Sequence, residues 1–201
     1  MPTVPREGPV CTLRAMQTAG ARPLFGGAMS AAFPSNATDV SGLRDIPDNQ
    51  EVFVHAQTDQ SLIVELVEYQ ADVADQDAAR YHLEDIAGSN EAVGASEVTG
   101  ALELPKAELC LSECSSAWMI TGAQCVSKFN EEARNAVTVH LGVIRLPQFS
   151  TDVLITFNDP RSISPGSSSA ASAQAQGEPW TPQDFRRLLQ TASLHDPGLF
   201  L

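Results

Sequence analysis

A chain of 201 residues with 43% hydrophobic content is long enough to bury one full core. Its formal charge of -13 argues against nucleic acid, whose phosphates attract Lys and Arg, and against anionic membrane surfaces, while it steers basic partners toward the protein. No stretch reaches the roughly 18 consecutive apolar residues that span a bilayer.

The first 22 residues carry Arg6, Arg14 and Arg22 against Glu7 and are interrupted by Pro2, Pro5 and Pro9. They lack the apolar centre of a secretory signal, so they read as a disordered extension, with a mitochondrial presequence as the lesser reading. Order is expected from Pro23, where PLFGGAMSAAFP suggests a short strand, a Gly26–Gly27 break and more extended chain. Neither a P-loop pattern nor a helix-opening GxGxxG is present, so the glycine pair is no phosphate cradle. Pro34, Asn36 and the Asp39–Ser41–Gly42 cluster mark turns, and Pro47–Asp48–Asn49 marks another. From Glu51, Val52 and Val54 alternate with Phe53 and His55 as in a strand. Leu62 to Val67 resumes it as a nearly continuous apolar run, the mark of a strand buried on both faces. Glu65 and Glu68 fall on opposite faces of an ideal strand but on one face of a helix, and the spacing alone leaves both open.

Residues 75–87 predict a helix capped by Asp75, with an apolar stripe of Ala79, Leu83 and Ile86 bordered by Ala78 and His82, and Gly88 as the stop. Segments 92–98 and 101–104 read as short strands or loop, and Lys106 to Ser116 as a connection. Strands follow over 117–129, 137–146 and 152–158, with an antiparallel pair at the sheet centre. In the 137–146 strand Thr138 and His140 should face away from Val137, Val139 and Leu141. The Ser/Ala-rich stretch 159–179 reads as a flexible linker. Thr181–Pro182–Gln183–Asp184 is a strong helix start, followed by an apolar face of Phe185, Leu188, Leu189 and Ala192 and an end near Leu194. Asp196–Pro197–Gly198 then turns Leu199 and Phe200 back toward the body. The sum is one α+β domain over 23–201 with an antiparallel sheet of about six strands and at least two helices.

Candidate chemistry is sparse. The four cysteines, Cys11, Cys110, Cys114 and Cys125, form no CxxC pair, and His55, His82, His140 and His195 have neither metal spacing nor an HExxH frame. The carboxylate pairs Asp45/Asp48, Glu65/Glu68 and Glu84/Asp85 keep a glycosidase-like hydrolase reading open. The chain's two Trp and two Tyr give it little aromatic support. The dominant feature is charge. Asp39 to Glu97 holds 14 Asp or Glu against Arg44 and Arg80 and no Lys, a local formal charge of -12. An acidic surface offered to a protein partner is the reading this supports, with Asp72, Asp75 and Asp77 taken as simply solvated.

The strings LFGGA (24–28), DVSGLRDIPDNQEVFVH (39–55), TDQSLIVELVE (58–68), YHLEDI (81–86), VIRLPQFSTDVLITFN (143–158) and HDPGLF (195–200) resemble the Ran guanine nucleotide release factor family. The likeness covers about residues 23–201. The 22-residue extension and the length of the 159–179 linker are the departures. The resemblance implies a PsbP-like α/β/α sandwich, an antiparallel sheet flanked by helices. It implies a monomer without cofactor or enzymatic activity that binds the GTPase Ran, promotes GTP release and serves nuclear import from nucleus and cytoplasm. It further implies a link to the cardiac voltage-gated sodium channel, with a peripheral place at the plasma membrane and no membrane insertion. A channel-trafficking adaptor without a Ran role is the alternative. By the same resemblance Glu65 and Glu68 are the partner-binding positions, with Asp48, Gln50, Glu51 and Arg44 behind them.

Overall fold

The structure is a computed structural model that describes residues 20–42, 46–92, 96–127, 134–167 and 177–200. Among these described residues, ten strands and two α-helices follow in chain order. They are β1 (Ala21–Leu24), β2 (Met29–Ala32), β3 (Ala37–Asp39), β4 (Gln50–His55), β5 (Ser61–Glu68), α1 (Asp75–Ser89), β6 (Ser96–Glu103), β7 (Ser116–Ser127), β8 (Arg134–Leu146), β9 (Thr151–Ser162), α2 (Pro182–Thr191) and β10 (Ser193–Leu194). Seven strands form one antiparallel sheet in the order β3-β4-β5-β9-β8-β7-β6, and β1-β2-β10 form a small second sheet. The protein is α+β, as expected from the pattern of elements, with more strands than the six the sequence suggested.

Period-two alternation along the long strands creates two cores. Val137, Val139, Leu141 and Val143 of β8, with Ile120 of β7 and Leu154 of β9, pack on Ala78, Ala79 and Leu83 of α1. The opposite face carries Leu62 and Val64 of β5, Val153, Ile155 and Phe157 of β9, and Ile144 and Leu146 of β8. It is covered by Phe185, Leu188 and Leu189 of α2 and by Leu24 and Met29 of the small sheet. The main sheet therefore lies between α1 on one side and α2 with the small sheet on the other. His140 sits on the α2 face, as the alternation predicts. Its ring stacks on Phe157 with centroids 5.4 Å apart, and burial pushes its pKa below the usual imidazole value.

Several boundaries differ from expectation for local reasons. The first strand begins at Ala21, two residues inside the stretch read as extension, because Ala21 pairs with Ala32 and Arg22 donates to the Ala37 carbonyl at 2.6 Å. Residues 1–19 lie outside the described residues. The cap of α1 is Ala74, with no side-chain cap bond, and the helix runs through Gly88 to Ser89. The 96–103 stretch is one strand with an irregularity between Val98 and Gly100. Residues 159–162, read as linker, belong to β9: Asp159 pairs with Thr138 and takes the Gln60 amide at 2.9 Å. Residues 168–176 of that linker lie outside the described residues. The second helix starts as predicted, with Thr181 and Asp184 bonded in a reciprocal capping box, but it ends at Thr191. Ser193–Leu194 then joins β2 instead of prolonging the helix.

Candidate functional site

The acidic signature occupies one end of the main sheet. The Pro47–Asn49 turn is sewn to the end of β5. Gln50 N donates to the Pro47 carbonyl, Leu66 N donates to the Asn49 carbonyl, both at 2.9 Å, and the Asn49 side chain donates to the Leu66 carbonyl at 2.8 Å. Gln50 and Glu65 are cross-strand partners, and the Gln50 amide donates to Glu65 Oε1 at 2.7 Å. Asp48 is exposed at the tip of this turn. Arg44, like Asp45, lies outside the described residues.

Strand alternation places the two leading acids on opposite faces of β5. Glu65 is half-buried and shares the α1 side with Val67, which packs against the α1 core. Glu68, opposite Thr151 at the last position of β5, is exposed and on the other side. The run expected to be buried on both faces is so only in part: Leu62 and Val64 are buried, whereas Ile63 and Glu65 to Val67 are half-exposed.

Glu65 lines a groove of about 270 Å³ between the β4–β5 end and α1. One wall is Gln50, Glu65, Val67 and Gln70, and the other is Tyr81, Asp85 and Ile86. Tyr81, 43% exposed, is one of two exposed large hydrophobic side chains among the described residues. Neither Tyr81 nor Asp85 was singled out as a partner-binding position from sequence. The helical spacing Tyr81–Asp85 does put them on one face of α1, and that signal was available. The groove is open, and its lining mixes the carboxylates of Glu65 and Asp85 with the amides of Gln50 and Gln70, the Tyr81 phenol and aliphatic carbons. Asp85 is water-exposed and Glu65 takes a donated amide hydrogen, so neither sits in the apolar enclosure typical of a general-acid carboxyl.

Glu51 plays a different part. Its carboxylate accepts the backbone N–H of Phe25, so it pins the Phe25–Gly27 turn to β4. That turn needs support because Phe25 holds φ 50°, a left-handed conformation unusual for a side-chain-bearing residue. Burial raises the Glu51 pKa, the Phe25 N–H offsets part of that rise, and the charge of Asp39 adds to it.

A buried ionic set lies behind the groove, and sequence reading missed it. Arg145 and Asp152 are cross-strand partners on β8 and β9, both fully buried. Arg145 Nε donates to Asp152 Oδ1 at 3.1 Å, and His82 Nε2 meets Asp152 Oδ2 at 3.0 Å. Asp75, read from sequence as a solvated acid and a helix cap, instead accepts from Arg145 Nη1 at 2.8 Å. The register across the tight β8–β9 connection, a property of the folded sheet, sets residue 145 opposite residue 152.

The fold and the site together define a small α+β domain, a helix-flanked antiparallel sheet with an open groove that Glu65 and Asp85 line. The chain matches the Ran-interacting Mog1 protein family over residues 22–160, and it belongs to that family. It is 60% identical over 181 residues to the Ran guanine nucleotide release factor of Danio rerio, covering 89% of this chain and 98% of that protein. The nuclear import protein mog1 of Schizosaccharomyces pombe is 35% identical over 176 residues, covering 84% of this chain and 90% of that one. The fold is similar to the crystal structure of the Ran-binding protein Mog1p of Saccharomyces cerevisiae. The TM-score is 0.68 at 24% identity, over 90% of this chain and 97% of that one.

Proposed function

We infer that this protein binds the small GTPase Ran and promotes release of its guanine nucleotide, acting by binding and not by catalysis, in nuclear protein import from nucleus and cytoplasm. The observation that carries this reading is the acidic groove at the β5 end, in a chain whose relatives are named for that activity. A GTPase holds its polyanionic nucleotide through Mg²⁺ and basic groups. Carboxylates that pair with those basic groups as the phosphates leave favour the empty form over the loaded one, and only such differential binding shifts the release equilibrium. Glu65 and Glu68 are the leading contacts, one in the groove and one at the strand end on the opposite face, so a partner must reach around the end of β5 to touch both. Asp48, Gln50, Glu51 and Arg44 stand behind them. A sodium-channel partner and a place at the plasma membrane rest on the family resemblance alone.

Stopped-flow release of a fluorescent guanine nucleotide from Ran tests the reading. Glu65→Lys with Glu68→Lys should lose acceleration even at high concentration, since truncation at an interface centre costs roughly 2 kcal/mol or more and reversal costs more. Glu97→Lys with Glu103→Lys, the same change of charge on the far edge strand β6, is the charge control and should alter chiefly the salt dependence. Equal damage by the two sets of reversals would attribute the activity to bulk acidity and overturn the assignment.

A further inference from the structure

We propose that Arg145 is the positioning residue of the partner-binding groove, setting the separation of its two walls from behind; the proposal rests on the Ran-binding reading above. Taking a guanidinium out of water is costly, and an apolar side chain of similar volume escapes that cost. What Arg145 does with its five fixed donors is therefore informative. Apart from Asp152, every contact goes to the crossover between β5 and α1 or to the first residue of α1. Nη2 donates to the Gln70 carbonyl at 2.6 Å, Nη1 donates to the Val73 carbonyl at 2.7 Å and to Asp75 at 2.8 Å. The guanidinium carbon also lies 4.2 Å from the centre of the Tyr69 ring.

That crossover, residues 69–74, is the segment of chain that joins the groove's β5 wall to its α1 wall. Gln70 lines the groove on the β5 side and His82 lines it on the α1 side. Both are bonded to the same buried pair: Asp152 Oδ2 accepts from Gln70 N at 3.4 Å and meets His82 Nε2 at 3.0 Å. One Arg–Asp pair thus grips a residue from each wall, and it does so on the rigid β8–β9 pair in the middle of the sheet. Glu68 immediately precedes the gripped segment, so the same clamp fixes where β5 stops and how Glu68 leaves it. A planar fork with several fixed directions does this; a flexible ammonium does not.

The test compares Arg145→Lys, Asp75→Asn and Tyr69→Leu with the unsubstituted full chain, well below the melting temperature of each. Release of fluorescent nucleotide from Ran, followed against protein concentration, separates the half-saturating concentration from the limiting rate. Arg145→Lys should fold, raise the half-saturating concentration about tenfold and leave the limiting rate nearly unchanged, the size expected when a packed network biases a remote contact. Asp75→Asn, which keeps an oxygen to accept from Arg145 but removes the charge, and Tyr69→Leu, which removes the ring against the same guanidinium, should give smaller rises, and Glu97→Lys none. A folded Arg145→Lys with the unsubstituted half-saturating concentration overturns the proposal, even if its melting temperature falls, because a purely structural role moves only the latter. Should Arg145→Lys fail to fold, the other two decide, and half-saturation unchanged in both overturns it. An unsubstituted chain that does not accelerate release overturns the Ran reading itself, and this proposal with it, a result distinct from all the others.

Discussion

Glu51 shows how a signature acid can serve the scaffold. Its folded pKa is raised, so it holds its proton to higher pH than in the unfolded chain, where the value is ordinary. The folded state then binds more protons between those two values. The contribution to stability is fully present below the unfolded value and is lost as pH rises through the folded one. Glu51→Gln keeps an oxygen to accept from Phe25 and removes the charge. The variant should therefore be more stable than the parent at neutral pH, with the difference vanishing as pH falls below the ordinary glutamate range. Urea midpoints from pH 4 to 8 check this, and a variant less stable at pH 7 would show that the ionised carboxylate is worth more to the turn than its burial costs. His140 contributes the opposite slope, since its folded pKa is lowered and stability is lost as pH falls below its ordinary value. It is common to both proteins, so it cancels from the difference.

At the scale of elements, two glycines in regular structure should respond with opposite signs. Gly142 on β8 lies against α2, and a Cβ there would come within 2.1 Å of Leu189 Cδ2. The sheet and helix approach closely because that residue has no side chain. Gly142→Ala should destabilise by about 1–3 kcal/mol, the usual range for overpacking. Gly88, inside α1, has nothing within 4 Å of the same position and ordinary helical backbone. Gly88→Ala should stabilise by up to about 1 kcal/mol through helix propensity. Chemical denaturation of both variants checks the pair, and equal effects would mean that α2 shifts to accommodate the methyl group. Gly88 does not stop α1: the chain continues one residue further, to Ser89, and closes with Asn90 N donating to the Ile86 carbonyl at 2.9 Å.

On the scale of the whole molecule, α2 is the cover of the larger core. Phe185, Leu188 and Leu189 are almost wholly buried, and burying such a side chain is worth about 1.5–3 kcal/mol each. Three of them approach the roughly 5–15 kcal/mol that stabilises an ordinary domain. Deleting 182–201 should therefore abolish the cooperative thermal transition, and retention of a sharp two-state melt would show that the β1-β2 sheet closes the core alone. The charge reading also belongs at this scale. The acids of 39–97 do not form one surface: Glu65 and Asp85 line the groove, Glu51 supports a turn, and Asp75 is held by Arg145.

Much of the architecture was legible because it is written locally. Apolar alternation marked β4 and β8, β-rich apolar runs marked β5, β7 and β9, and the Thr181–Asp184 capping box marked the start of α2 to the residue. Those signals depend on neighbours within a few positions, and the sequence lists neighbours directly. The short β1, β2 and β10 were harder to read because each is defined by its partner across the small sheet. The candidate site divides along the same line. Glu65 and Glu68 could be named from the chain, but their opposite faces follow from the register of β5 with β9. The groove exists only because the crossover lays α1 beside β5. Arg145 and Asp152 are seven residues apart in sequence, and nothing in their spacing announces a buried pair. Only the β8–β9 register places one opposite the other, and only packing removes the water that would have made the contact unimportant.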